Sequence, residues 1–344
     1  MLTWKDGDRA VGVLGTGACL PGRVVTNAEA AERAGVTGDW VFEKTAIRER
    51  RWAKPGEATS DLAIGAARSA LADAGVRAAD LALVVVATST PDSPQPPTAS
   101  IVADGIGAGR GTVAFDVNAV CSGFNYGLAV AERMVTAGGD RPALVIGADV
   151  YSRILAPQDR RTVILFGDGA GAAVIGSGGT PRVVATRLVG VAEARGLVGV
   201  AAGGSRRPAS EHTVRDGSHY FTMDGRGVRD FVDEHVVPGI AAFLSDHGVR
   251  PDEVTHLVPH QANGRILATM ADRLGMPFER FATTVGAYAN TGAASVPITF
   301  DQLRRTRTVS SGDVVLLAAF GGGMTMGMTL LRACAHGGGG GARG

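Results

Sequence analysis

Apolar residues along this chain fall into unbroken runs of strand length: Leu81 to Ala87, Ala143 to Ala148, Ala170 to Ile175, Val254 to Val258 and Val314 to Ala319. Runs without alternation suit strands covered on both faces. Between them, Thr59 to Ala74, Gly123 to Ala137, Val228 to His247 and Asn263 to Leu274 carry helical spacing. The pattern predicts an α/β chain with buried, largely parallel strands. In Thr59 to Ala74 the small residues Ala63, Ala66, Ala67, Ala70 and Ala74 lie on several faces, so this helix is expected between two sheets, as a buried central layer. Gly176 to Arg182, Gly-rich with one Pro, is expected to link two lobes, 1–178 and 179–336. The Gly-rich tail 337–344 has nothing to bury and is expected to be disordered. Thr90 to Thr98 holds four prolines and reads as a stiff loop suited to an interface.

Composition narrows the class. The 344 residues exceed one ordinary core. Gly accounts for 50 of them, about twice the usual share of ~7%, and aromatics for only 5%. Close backbone contacts are implied more than bulky packing. The net charge is +1, with no basic run, which disfavours nucleic acid as a partner. Met1 to Ala10 is polar and no run of 18 apolar residues occurs, so neither a signal peptide nor a membrane span is expected, and a cytoplasmic location is. Cys19, Cys121 and Cys334 are odd in number and widely spaced, which supports neither a disulfide framework nor a zinc site. No metal is expected.

Several motifs remain to be weighed. Gly15-Thr16-Gly17 lacks the third Gly and the following helix of a dinucleotide fingerprint, and Gly167 to Gly171 lacks the Lys-Ser/Thr of a P-loop. The latter reads as a tight turn feeding a buried strand. In Asp116 to Gly127 a strand-like segment runs into Cys121, where a helical pattern begins. A helix N-terminus there would favour a thiolate and lower the thiol pKa, yet a buried structural cysteine also fits this segment taken alone. Val258 to Asn263 sets His260 at the end of a buried strand, the end that an α/β fold presents to its binding crevice. Tyr288 to Ser295 holds Asn290 in a small-residue turn. Phe320 to Gly327 begins with three consecutive glycines after Phe320, whose backbone N–H groups could face a ligand oxygen.

Assembled in this order, with Asp159-Arg160 and Phe166 to Gly171, the four segments resemble β-ketoacyl-[acyl-carrier-protein] synthase III, a thiolase-superfamily condensing enzyme, from about Val11 to Arg332. The resemblance implies a five-layer αβαβα sandwich made of two related halves, generally a homodimer. It implies Cys121 as the nucleophile that takes an acyl group from acyl-CoA, and His260 with Asn290 as donors to the enolate formed when malonyl-acyl carrier protein loses carbon dioxide. The backbone N–H groups of Cys121 and Gly322 would form the other oxyanion hole. Trp40, Lys44, Arg160, Asn263 and Arg265 match the coenzyme A and pantetheine site. Gln95, Phe320, Met324 and Met326 match the acyl pocket, with Gln95 reaching it from the partner subunit. No cofactor is implied beyond acyl-CoA and the acyl carrier protein as substrates.

Departures from the family pattern bear on specificity. Asp230 and Asp272 stand where relatives carry basic residues for the acidic carrier protein, with Arg226, Arg229 and Arg273 nearby. Gln95 and Met326 replace a hydrophobic residue and a Trp. These changes point to a small or functionalised starter, in fatty-acid or in polyketide initiation. A same-fold acyltransferase that forms no carbon–carbon bond is the alternative, and Asn290 argues against it, because plain acyl transfer needs mainly a base and a nucleophile.

Overall fold

The structure is a computed structural model that describes residues 2–5 and 10–334. The strands of its large sheet in chain order are β1 (Leu2–Lys5), β2 (Val11–Cys19), β3 (Leu83–Ala87), β4 (Val113–Val117), β5 (Ala143–Asp149), β6 (Gly169–Ser177), β7 (Arg182–Gly190), β8 (His256–Pro259), β9 (Val314–Gly321) and β10 (Thr325–Arg332). They lie in the order β8-β9-β10-β7-β2-β6-β5-β3-β4, with β1 on β7. The four longest apolar runs became β3, β5, β6 and β9, as the absence of alternation predicted. The polar or Gly-rich β2, β4, β7 and β10 carried no such run.

The same topology occurs twice. Numbering strands within each half, the first reads 3-2-4-5-1 as β4-β3-β5-β6-β2. The second repeats that order as β8-β9-β10-β7, with Phe281 pairing in parallel with Leu257 of β8 where a third strand would lie. Pair directions match too: β5 runs parallel to β3 and antiparallel to β6, as β9 does to β8 and β10.

Three buried clusters define five layers. On β9, Val315, Leu317 and Ala319 face the middle of the molecule, while Leu316, Ala318 and Phe320 face outward, so alternation decides layer rather than exposure. The middle cluster takes Phe124, Leu128 and Val135 from α4 (Gly123–Gly138) and Val296, Phe300 and Leu303 from α7 (Ser295–Thr306). The first half is covered outside by α2 (Thr59–Ala74) and α3 (Thr98–Gly105), and the second by α5 (Val237–Asp246) and α6 (Gly264–Leu274). α1 (Gly38–Thr45) lies beside the cavity described below.

Two expectations are corrected. The Ala-rich helix α2 is an outer helix: Leu62, Ala63, Ala66, Ala67 and Ala70 are buried on one sheet, whereas Asp61, Arg68, Ala72 and Asp73 are exposed. Its alanines permit close approach to the sheet and not burial on both sides. The central place belongs to α4 and α7. The expected largely parallel pairing is not found either: in the large sheet only β8–β9, β3–β4 and β3–β5 run parallel, and the other pairs are antiparallel. Residues 178–181 join β6 to β7 and are held in place, since Thr180 donates to the Val13 carbonyl at 2.8 Å and Val13 donates to that of Pro181 at 3.0 Å. Any side chain on Gly12 or Gly179 would collide with the other's backbone, so two glycines make this crossing possible. The tail 337–344 lies outside the described residues.

Candidate active site

Strand ends from both halves converge on one cavity of about 720 Å³, lined by Cys121, His260, Asn290 and Phe320 together with Trp40, Lys44, Arg160, Asn263, Arg265, Gly322 and Met324. Each half delivers its residues where its strands end, as the crevice rule for α/β sheets requires. Cys121 follows β4 and precedes α4; Asn290 holds the equivalent place ahead of α7. His260 follows β8, and Phe320 is the last residue but one of β9.

Cys121 sits in a one-turn helix, Val120–Ser122, leading into α4. Val120 ahead of it is held at φ +48°, a conformation that costs a β-branched residue about 1–3 kcal/mol and lasts only where surroundings enforce it. Ser122 Oγ donates to the Thr325 carbonyl at 2.9 Å, pinning the turn to β10. A Cβ on Gly321 would stand 2.6 Å from the Cys121 nitrogen, so the β9 end lies directly against the turn that carries Cys121. The thiol does not follow the expectation of a lowered pKa: burial pushes it up, and the charge of Asp149 adds to this. The nearby Tyr151 hydroxyl opposes both.

Both side-chain donors have one end tied down. Asn290 Oδ1 accepts the Gly292 N–H at 2.9 Å, which leaves the amide NH₂ for the cavity. Ala289, just before it, is at φ +59°. His260 is bonded through Nδ1 to Ser295 Oγ at 2.7 Å and meets Phe320 edge-on, with ring centroids 5.2 Å apart. Burial pushes its pKa down to about 3, so the ring is neutral.

At the mouth, Arg265 Nε donates to the Glu43 carbonyl at 2.9 Å, Lys44 pairs with Glu43 at 2.9 Å, and Asn263 Oδ1 caps α6 by accepting from Ile266. Arg161, Arg229 and Glu43 also line this end. Asp230, Asp272, Arg226 and Arg229 are exposed.

Two predicted pocket residues are not brought to the cavity. Met326 stands opposite Phe320 on the same face of the β9–β10 pair but does not line the cavity; it packs farther along that cluster, near Gly239 of α5. Gln95 is exposed on its loop and does not line the cavity of its own chain. The cavity floor comes instead from Tyr151, Phe166 and Phe221, which the sequence reading missed. Tyr151 stacks on Phe166 at 4.4 Å, and Phe221 meets both edge-on. Tyr151 lies two residues past β5, a strand end that the crevice rule marks. Phe221 lies in a short strand, Phe221–Met223, whose sequence carries no signal.

Comparison with known proteins agrees with this geometry. Family models described as 3-oxoacyl-[acyl-carrier-protein] synthase III and its C-terminal part match residues 115–190 and 244–333. An acetoacetyl CoA synthase, NphT7, from a Streptomyces species is 50% identical over 93% of this chain and 97% of its own. A β-ketoacyl-[acyl-carrier-protein] synthase III from Rhodospirillum rubrum is 44% identical over 93% and 98%. Among solved structures, the 3-oxoacyl-[acyl-carrier-protein] synthase III of Aquifex aeolicus superposes with a TM-score of 0.85 at 35% identity, covering 94% of this chain and 99% of that one. A priming β-ketosynthase of a polyketide pathway does so with 0.86 at 32%, covering 96% and 98%. The paired strand orders, the five layers and relatives matched along nearly their whole length place this chain in the β-ketoacyl-[acyl-carrier-protein] synthase III family of thiolase-fold condensing enzymes.

Proposed function

We propose that the protein condenses a short acyl starter, taken from acyl-CoA onto Cys121, with a malonyl thioester. The sulfur attacks the starter's carbonyl, whose oxyanion is held by the N–H groups of Cys121 and Gly322, and coenzyme A leaves. The malonyl thioester carbonyl then lies on His260 Nε2–H and the Asn290 NH₂. Loss of carbon dioxide leaves an enolate on those donors, and its carbon attacks the Cys121 thioester to release a β-ketoacyl product. The observation that carries this reading is the pair of tethered donors beside a buried cysteine: Asn290 and His260 each have their other polar atom already occupied, so both face the reacting carbonyl without reorganisation.

Trp40, Lys44, Arg160, Asn263 and Arg265 would hold the coenzyme A, and Tyr151, Phe166 and Phe221 would limit the starter to a few carbons. The mouth supports coenzyme A as carrier of the extender as well: exposed acids stand beside its arginines, and Lys44 is paired with Glu43, which weakens attraction for an acidic carrier protein. We assign residues 1–178 and 179–336 as the two halves, a homodimer as the working unit, and the cytoplasm, where acyl-CoA is supplied, as its location. In that dimer, Gln95 would lie against the partner.

The test offers acetyl-, isobutyryl- and octanoyl-CoA in competition and reads the acyl mass on Cys121. Acetyl or isobutyryl should dominate; octanoyl dominating would sink the short-starter reading. Malonyl-CoA and malonyl-carrier protein are then supplied separately while carbon dioxide is measured. Cys121→Ala should take no acyl group, whereas Asn290→Ala should acylate but release carbon dioxide about 10²–10³ more slowly. Acyl exchange without carbon dioxide from either extender would establish the acyltransferase alternative.

A further inference from the structure

Behind the cavity lining lies a cation that the condensation chemistry above does not use. Arg50 belongs to a short strand, Glu49–Trp52, paired antiparallel with Arg23–Thr26, and it is 0% exposed. Both of its acceptors are neutral. Nη1 donates to Asn27 Oδ1 at 2.8 Å and Nη2 to the Ile164 carbonyl at 2.8 Å, while Nε finds no acceptor among the described residues. Burial pushes its pKa down to about 10, which still leaves the guanidinium charged at neutral pH. An apolar side chain of similar volume would fill this space at less cost than a charge without a bonded carboxylate, so filling space does not account for Arg50.

Its two acceptors lead to two separate stretches of the cavity lining. Asn27 turns its oxygen to Arg50 and its NH₂ to α1: Nδ2 donates to the Ile47 carbonyl at 2.7 Å and to that of Gly38 at 3.4 Å. Gly38 is the first residue of α1 and Ile47 the second past its end, and Trp40, Glu43, Lys44 and Thr45 between them line the cavity. Ile164 belongs to the other stretch, which brings Arg160, Arg161 and Leu165 to the same cavity. Farther along that stretch, Trp52 Nε1 donates to the Phe166 carbonyl at 3.2 Å and the Asp168 N–H to the Arg51 carbonyl at 2.8 Å. Those two bonds fasten its end. Among the described residues, Arg50 supplies the bond that holds the part nearest Arg160 to this strand.

We propose that Arg50 is a positioning residue for coenzyme A: its planar fork fixes the spacing between α1, which carries Trp40, and the segment of Arg160, so that both meet the nucleotide end of the substrate. This rests on the reading of Trp40 and Arg160 as part of the coenzyme A site. A guanidinium suits the task because Nη1 and Nη2 diverge at a fixed angle in one plane, so acceptors bonded to them cannot drift apart without losing a charge-assisted bond. The neutrality of the partners matters too. A carboxylate would take two nitrogens as a pair, whereas two separate oxygens let one side chain join two stretches of chain. Arg50 does not itself line the cavity, so it acts on the substrate through the residues it holds. Losing it should weaken the grip on the nucleotide and spare the chemistry at Cys121.

Two substitutions and two thioesters separate this role from a merely structural one. Arg50→Met keeps much of the volume and removes both bonds; Asn27→Ala frees α1 and leaves the Ile164 bond in place. Acylation of Cys121 is followed by intact mass over a range of acetyl-CoA concentrations, and again with the acetyl thioester of N-acetylcysteamine, which carries no nucleotide. Both variants should raise KM for acetyl-CoA about tenfold, while the rate at saturation stays within about twofold of the parent's. With the N-acetylcysteamine thioester both should match the parent. The proposal is overturned if Arg50→Met keeps the parent's KM for acetyl-CoA, or if the two thioesters are affected alike, as a general loosening of the fold would do. Should Arg50→Met not fold, Asn27→Ala decides by the same comparison. If the parent protein itself shows equal KM for the two thioesters, the coenzyme A reading of Trp40 and Arg160 fails and the proposal falls with it; a parent that prefers acetyl-CoA beside unchanged variants overturns the proposal alone.

Discussion

At the scale of single residues, the site is made of groups whose ordinary behaviour is overruled by burial. His260 is the clearest case. A histidine pushed down to about 3 stays neutral in the native state, while the unfolded chain takes up a proton near 6.5. Between those values the unfolded state binds more protons, so this histidine's contribution to stability is complete above about pH 6.5 and is lost progressively as pH falls towards 3. At pH 5 the loss is about 2 kcal/mol. Chemical denaturation at pH 5 and pH 7.5 should therefore show a drop that His260→Gln largely removes; an equal drop in the variant would mean the ring is not buried neutral. Its place at a strand end was legible in the sequence. Its neutrality was not, because that depends on Ser295 and Phe320 coming from 35 and 60 residues away. Cys121 teaches the same lesson with the opposite outcome for the prediction. The helix N-terminus was read correctly, but a thiol pKa answers to everything around it, and burial with Asp149 outweighs the helix end.

At the scale of elements, the contrast between α2 and α7 explains why the central layer was misassigned. Alanine at many positions advertises close packing without saying on how many sides. The helix that is in fact enclosed, α7, opens with Ser295, Val296, Pro297, Ile298, Thr299, Phe300 and Asp301, all buried. Its polar residues hid it from a search for apolar periodicity. Pro297 falls in its first turn, where no amide is missed. Asp301 explains why polarity is tolerated there: it accepts from Thr16 Oγ1 of β2 at 2.8 Å and from Arg305 Nε at 2.9 Å, tying the central helix to the first half's sheet. Asp301→Ala would leave the buried Thr16 hydroxyl and Arg305 without that acceptor, so the unfolding free energy in urea should fall by about 1–3 kcal/mol. Gln302→Ala, one residue along and exposed, should change it by less than about 0.5 kcal/mol. Equal effects would show that Asp301 carries no special weight.

For the whole molecule, the first half's sheet ends at β4, an edge strand with Val113 48% exposed, beside Val130 and Met134 of α4 at 37% and 41%. An uncovered edge with apolar neighbours on an otherwise central helix is a surface that proteins normally cover. The expected outcome is that sedimentation gives about twice the 35.1 kDa of one chain, and that Val113→Asp combined with Met134→Asp gives a monomer. A parent protein that sediments as a monomer at micromolar concentration would remove the dimer from the reading, and with it any part for Gln95 in the partner's pocket.

By itself, the sequence determined what depends on neighbours along the chain: buried strands from unbroken apolar runs, helix ends from their first residues, and the candidates Cys121, His260 and Asn290 from their short motifs. Tertiary structure decided what depends on distant segments meeting. It brought Tyr151, Phe166 and Phe221 to the cavity, left Met326 out of its lining and chose the enclosed helices. It also set the protonation of Cys121 and His260. The physical reason is that strand pairing and helix capping are local in chain position, whereas desolvation and the direction of a hydrogen bond are properties of a place, supplied here by two halves whose strands end at one point.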